Sequence, residues 1–224
     1  MNKVADDVWQ IPLTPRNGVN AYLVGDILVD AGYILHGRKV VAAVKGHEVR
    51  THALTHVHND HAGGSKHVHE ALGVPVWIGV ADAPYLRDGT APIPPRSNAL
   101  IHKLDRVGGS PAVEPERELR EGDDLGHGFV VLDTPGHSPG HLSFWRESDR
   151  TLICGDVFFN MNILTTAYGL RQPPAIFTYD IPVNQASERR LADLEPAVAC
   201  FGHGPPLRDP AKIRSFVAGL PAGY

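Results

Sequence analysis

The 224-residue sequence predicts an α/β fold in which two similar β-sheets pack face to face with helices outside. Three observations point there. Strand-like runs dominate both halves of the chain, with helical runs interleaved. The halves echo each other, since Leu28-Val29-Asp30-Ala31-Gly32 and Ile153-Cys154-Gly155-Asp156-Val157 both end a strand on an acidic residue. No linker, short-period repeat or low-complexity tract divides the chain, so residues 1–224 are expected to form one domain.

The elements follow in order. Val8-Trp9-Gln10-Ile11 and Asn20-Ala21-Tyr22-Leu23-Val24 read as strands, with Asn17-Gly18 as a turn between them. Ile27 to Gly32 is an apolar run that delivers Asp30 to the end of a buried strand. Val40, Val41 and Val44 fall at helical spacing within Gly37 to Gly46. A strand over Thr51 to Thr55, a turn, and a helix from Ala62 to Leu72 come next. Val74 to Ile78 is a strand and Val80 to Arg87 a short helix. Five prolines and three glycines break up Asp88 to Pro115, which is too long for an ordinary connector. Strands resume at Glu118-Leu119-Arg120, Gly128 to Asp133, Leu142 to Trp145 and Thr151 to Cys154. A second loop, rich in proline and aromatic residues, runs from about Asn160 to Pro182. A helix over Asn184 to Leu194, a strand over Ala197 to Phe201 and a helix over Pro210 to Leu220, with proline in its first turn, complete the chain.

Composition excludes several classes. Apolar residues make up 42% and charged residues 21%, the profile of a globular protein able to bury a core without disulfide staples. The net charge of −4 offers no basic field for nucleic acid. No apolar run reaches membrane-spanning length, and Met1 to Asp7 is too polar for a secretory leader, so a cytoplasmic protein with no membrane partner is expected. Cys154 and Cys200 sit in apolar strand-like runs and read as small buried thiols.

Thirteen histidines direct attention to imidazole chemistry. The densest stretch is Thr55-His56-Val57-His58-Asn59-Asp60-His61. In extended backbone His56 and His58 face one side together, and Asp60 and His61 join them only if the chain turns there. Three further sites follow apolar strands. His137 lies past Asp133 in a Pro-Gly turn, Asp156 lies past Cys154, and His203 lies past Cys200 between two glycines that allow close backbone approach. Ends of strands in a sheet-based fold gather on one edge, where ligands bind.

The ordered set His56, His58, Asp60, His61, His137, Asp156 and His203 resembles the metallo-β-lactamase superfamily, whose pattern it meets at every position. The resemblance covers nearly the whole chain and implies a four-layer αββα sandwich of two mixed sheets. It also implies a pair of divalent ions. His56, His58 and His137 would hold the first, Asp60, His61 and His203 the second, and Asp156 would bridge them. Imidazole and carboxylate ligands without thiolate suit Zn²⁺ best and also take Fe or Mn. Water bridging two such ions has its pKa lowered to roughly 7, which gives a hydroxide nucleophile at neutral pH. Asp60 would orient that water and pass its proton to the leaving group. The implied reaction is hydrolysis of an ester, thioester, lactone or related bond in a small molecule.

Departures from named members narrow the choice. The 21 residues after His203 are too few for the glutathione-binding helical domain of glyoxalase II proteins. Quorum-quenching lactonases place a tyrosine three residues after the bridging aspartate, where this chain has Phe159; Tyr168 or Tyr179 would have to supply that hydroxyl. Transfer-RNA-processing and flavodiiron members need an RNA-binding arm or a flavin domain, neither of which is seen. Two other readings compete: a single-iron enzyme that oxidises a persulfide, and a non-catalytic metal-stabilised binding protein.

Other residues carry weaker expectations. Asp30 either orients a ligand histidine from behind or caps a turn, and His141 either supports the ligands or is structural. Phe158, Phe159, Met161, Tyr168, Phe177 and Tyr179 are expected to wall an apolar pocket, with Arg171 as an anion contact. His52 reads as a core or interface residue, and His36, His47, His67, His69, His102 and His127 as solvated. Oligomeric state is open, a homodimer included.

Overall fold

The computed structural model describes residues 1–95 and 110–221. Among them, the first sheet has seven strands in chain order. β1 (Asn2–Ala5), β2 (Val8–Pro12), β3 (Asn20–Val24) and β4 (Ile27–Val29) form an antiparallel meander. β5 (Thr51–Ala53), β6 (Val76–Gly79) and β7 (Arg117–Leu119) then add in parallel. Parallel pairing needs crossovers. α1 (Gly37–Ala43) lies between β4 and β5. α2 (Asn59–Ala62) and α3 (Ser65–Leu72) lie between β5 and β6, and α4 (Ala83–Asp88) between β6 and β7.

The second sheet contains β8 (Asp124–Gly126), β9 (Phe129–Asp133), β10 (Leu142–Arg146) and β11 (Thr151–Ile153). The chain leaves it for a hairpin of β12 (Phe159–Met161) and β13 (Tyr168–Arg171). It returns through α5 (Ile181–Asp193) to β14 (Val198–Cys200), which pairs in parallel with β11. The order is β14-β11-β10-β9-β8. α6 (Pro210–Ala218) closes the described fold. Asp180 and Asp209 accept from the backbone N–H groups of Val183 and Lys212, capping α5 and α6.

Side-chain alternation along the strands sorts the core into layers. Tyr22, Val24 and Val29 of the first sheet meet Phe129, Val131, Phe144 and Ile153 of the second in a central core. The other face of the first sheet, with Leu23 and Leu28, packs on Val40 of α1 and Val68 of α3. The outer face of the second, with Trp145 and Leu152, packs on Leu191 of α5 and Ile213 of α6. The result is the four-layer αββα sandwich. Cys154 and Cys200 are buried free thiols. Among the described residues, no helix is long and apolar enough to cross a membrane.

Several elements differ from the sequence reading. The polar segment Asn2–Ala5 is a strand, because an edge strand needs only backbone pairing to β2. The helix expected over Ala62 to Leu72 breaks at Gly63 and Gly64, which lie against the backbone of Tyr33, Ile34 and Gly37 too closely for any Cβ. The expected loop from Asn160 to Pro182 contains the β12–β13 hairpin and a 3₁₀ turn, Ala175–Phe177. His67 and His69 are half-buried on α3 rather than solvated in a loop, and His36 is also half-buried. His102 and much of the Asp88–Pro115 stretch lie outside the described residues.

Candidate metal centre

Strand direction gathers the site. β9 and β10, and β10 and β11, are antiparallel, while β11 and β14 are parallel, so β9, β11 and β14 all point the same way. Their C-terminal ends deliver His137, Asp156 and His203 to one edge of the second sheet. The parallel pair β4 and β5 delivers Asp30 and the 56–61 segment to the facing edge of the first. The turn required between His58 and His61 is α2 itself, a single helical turn that holds Asp60 and His61.

All seven residues of the motif converge in two adjoining groups. The candidate ligand atoms of His56, His58 and His137 lie within 4.8 Å of one another, as do those of Asp60, His61, Asp156 and His203. Asp156 faces both groups. Its Oδ2 is 3.4 Å from His137 Nε2, 3.9 Å from His56 Nε2 and 3.1 Å from His203 Nε2, and its Oδ1 is 3.4 Å from His61 Nε2. His203 Nε2 is also 3.2 Å from Asp60 Oδ2.

Three atoms test whether metal ions fit. His56 Nε2, His61 Nε2 and Asp156 Oδ1 are buried and have no hydrogen-bond partner. Such orphans cost about 1–3 kcal/mol each. His58 Nδ1 and His137 Nε2 lie 2.9 Å apart, so one must carry a proton or both must face a cation. Bound ions would satisfy every one of these lone pairs.

The surrounding bonds select the tautomers that ligation needs. Asp30, 2% exposed, accepts from His61 Nδ1–H at 2.9 Å. It also accepts from Thr55 N at 2.9 Å and from the Thr55 hydroxyl at 2.9 Å. Having donated its proton, the Thr55 oxygen accepts from His56 Nδ1–H at 3.0 Å. In their neutral forms both rings therefore present a bare Nε2 to the cluster. His141 is fully engaged. Its Nε2 accepts from Asp156 N at 3.0 Å, and its Nδ1–H meets Thr134 Oγ1 at 3.0 Å, so it holds the Asp156 loop and has no nitrogen left for a metal.

Charge is divided between the groups. Burial, reinforced by neighbouring imidazoles, pushes the pKa values of His56 and His137 well down, and burial also lowers His58, so the first trio is neutral. In the second group, burial opposes charge but is outweighed. Asp156 and Asp60 raise His203 to about 10, and Asp156, Asp30 and Asp60 raise His61. Burial pushes Asp60 and Asp156 up, yet the imidazolium groups of His61 and His203 hold both well below the usual carboxylate range. Protons here occupy positions that a divalent ion would take, so metal uptake displaces them.

Residues that the sequence reading missed hold the loops in place. The buried Asp82 carboxylate accepts from Val57 N at 3.1 Å, Ser138 Oγ at 2.6 Å and Gly140 N at 2.7 Å. It thus ties the His56–His58 segment to the His137 loop. Its place before Ala83-Pro84 reads as a helix cap, but no cap bond forms. Asn20 Nδ2 donates to the carbonyls of Phe201 and Gly204 at 3.0 and 2.8 Å, which anchors the His203 loop to β3. A Cβ on Gly202 would lie 2.1 Å from Asp156 Oδ1, so only glycine lets that loop reach the cluster.

The centre opens into a cavity of about 610 Å³. His58, Asp60, His137, Asp156 and His203 form its base, and Phe159, Met161 and Phe177 are among its walls. The Phe159 ring sits on His203, with centroids 4.3 Å apart. Tyr168, Arg171 and Tyr179 are not among the described lining residues. Tyr168 is 49% exposed under the Arg16 guanidinium, and Arg171 Nε donates to the Gly169 carbonyl. Phe158 is also turned away, into the outer core against α6. The phenol in the described lining is Tyr33, which no motif singled out. Burial, with Asp60 and Asp156 nearby, pushes it up to about 12, so it stays a hydrogen-bond donor.

Two mixed sheets meeting at two adjoining His/Asp clusters define a protein built to hold a pair of metal ions. Residues 14–203 match the family model described as the metallo-beta-lactamase superfamily, and the chain belongs to that superfamily. It is 30% identical to the "Probable metallo-hydrolase YflN" of Bacillus subtilis over 200 residues, which is 81% of this chain and 76% of that protein. The fold resembles the crystal structure of TTHA1623 in a di-iron-bound form, with TM-score 0.66, 30% identity and coverage of 89% and 94%. It also resembles the BLEG-1 B3 metallo-beta-lactamase, with TM-score 0.70, 24% identity and coverage of 95% and 100%; at that identity the likeness concerns the fold alone.

Proposed function

We propose that this protein is a dinuclear metallo-hydrolase that cleaves an ester, thioester, lactone or related bond of a small molecule. The observation that carries the reading is the Asp156 carboxylate lying between two groups of imidazoles, with His56 Nε2 and His61 Nε2 buried and without a hydrogen-bond partner. Two divalent ions bound there supply Lewis acidity and a water acidified toward neutral pH. Zinc and iron both suit the ligand set, and a relative crystallised in a di-iron-bound form supports iron as much as zinc.

The chain's own groups do the rest. Asp60 is held by His203 yet keeps 19% side-chain exposure toward the pocket, so it can take a proton from the attacking water and return it to the leaving group. Tyr33 and Asn59 line the pocket beside it. Single-iron oxygen chemistry would leave the second group without a task, and a binding scaffold would not need a carboxylate open to the cavity.

The test is Asp60→Asn. Turnover on an ester, thioester and lactone panel should fall at least about 100-fold while the ion at His56, His58 and His137 is retained. Undiminished turnover would remove Asp60 from the chemistry, and oxygen uptake with one iron per chain would replace hydrolysis with the redox reading.

A further inference from the structure

We infer, resting on the hydrolase reading, that the substrate is a neutral ester or thioester whose acyl group is an aliphatic chain lying along Phe159, Met161, Ile163, Ile176 and Phe177.

The cavity has two chemically distinct parts. Its base is the metal centre. One wall is built from the β12–β13 hairpin and the Ala175–Phe177 turn, and its described lining residues are apolar except for Thr166. Pro15 and Val19 add apolar surface to the same lining. The apolar wall begins at the reacting end, because Phe159 packs directly on His203. It continues outward through Ile163, Phe177 and Ile176, which are 37%, 41% and 50% exposed. Large apolar side chains left in water around one cavity mark a ligand surface.

Charge points the same way. Among the described lining residues there is neither lysine nor arginine, and the acidic ones, Asp60 and Asp156, belong to the metal centre. The cations beside the hairpin are engaged elsewhere: Arg171 is turned back onto the Gly169 carbonyl, and Arg16 lies over Tyr168 and donates to the Thr166 carbonyl. Among the described lining residues an anionic acyl group would find no cationic partner, whereas an alkyl chain would cover the apolar wall. Hydrolysis would add the water oxygen to the acyl carbon, break the acyl C–O or C–S bond and give one proton to the departing alcohol or thiol. The product acid would remain against the wall until it leaves.

The experiment is a chain-length series on the zinc-loaded protein. p-Nitrophenyl esters from acetyl to octanoyl are compared by kcat/KM, with the succinyl ester as the charged control. Each buried methylene should contribute about fourfold, so octanoyl, six methylenes longer, should exceed acetyl by about 4,000-fold if the whole chain is covered and by at least roughly 16-fold if only two methylenes are, and succinyl should be the poorest. Ile163→Glu and Ile176→Asp, both at exposed positions, should flatten that slope. Hydrolysis with no dependence on acyl length, or a preference for succinyl, would overturn the inference and leave the hydrolase reading standing. No hydrolysis of any ester would fail the hydrolase reading instead. Calorimetric binding of acetate, hexanoate and octanoate then decides the inference alone: affinity rising with chain length supports it, and equal affinities overturn it.

Discussion

Asp30→Asn isolates one atom of the ligand-positioning network. Asp30 sits at φ +60°, a left-handed conformation that asparagine tolerates as well as aspartate does, so the backbone is not perturbed. The asparagine oxygen can keep the bond from Thr55 N. Its NH₂, however, replaces the oxygen that accepts from His61 Nδ1–H and from the Thr55 hydroxyl. The Thr55 hydroxyl can turn to the retained oxygen, 3.1 Å away, but the His61 donor would then face a donor. His61 must switch tautomer to accept at Nδ1, which places its proton on Nε2 and removes the lone pair that faces Asp156. Losing the charge-assisted bond from His61 corresponds to about 1.5–3 kcal/mol, shared between stability and metal affinity. Loss of such support typically lowers metal affinity about 10–100-fold. The ion at Asp60, His61, Asp156 and His203 should suffer most, because the effect on His56 passes through Thr55. Competition against a chromophoric chelator should therefore turn biphasic, with one site weakened and the other little changed. Wild-type affinity at both sites would refute the tautomer argument.

Two further predictions concern the frame. Asp82→Ala leaves Val57 N, Ser138 Oγ and Gly140 N without their acceptor, so thermal unfolding should register a loss of about 3 kcal/mol or more. Metal affinity at the His56, His58 and His137 site should fall with it, and a stable variant with unchanged affinity would show that the loops hold themselves. His52 is fully buried between the Leu28 carbonyl and Ser65, and burial, its largest influence, lowers its pKa to about 4 from 6.5. The unfolded chain binds the extra proton first, so stability is full above pH 6.5 and falls as pH drops through pH 4, by about 3 kcal/mol at that point. The pH 7 minus pH 4 stability difference should shrink by about that amount in His52→Gln, measured by urea unfolding; an equal difference in both proteins would place the titration elsewhere.

The ligand set was legible because its signal is local. Four of the seven residues lie within six positions of one another, and the other three each follow a strand whose apolar run is visible. The four-layer arrangement came from resemblance, and its physical trace, alternation along Tyr22 to Val24 that sends side chains to opposite cores, is too short to read alone. Asp82 and Asn20 were illegible for a different reason. Their bonds span 25 to 184 positions, and Asp82 stands where a helix cap would stand. The pocket was half legible. Phe159, Met161 and Phe177 line it, but which side of the hairpin faces inward depends on the pairing of Phe159 with Arg171 and an irregularity before Met161. That register puts Arg171 and Tyr168 opposite Phe159 and Met161, yet Arg171 folds back onto the Gly169 carbonyl and Tyr168 lies under Arg16, and Tyr33 enters from a turn that carries no motif.

Anomalous diffraction from crystals of the metal-loaded protein tests the central claim most directly. Two peaks are expected, one among His56, His58 and His137 and one among Asp60, His61 and His203, with the Asp156 carboxylate between them. A single peak at full loading, or density that avoids Asp156, would contradict it.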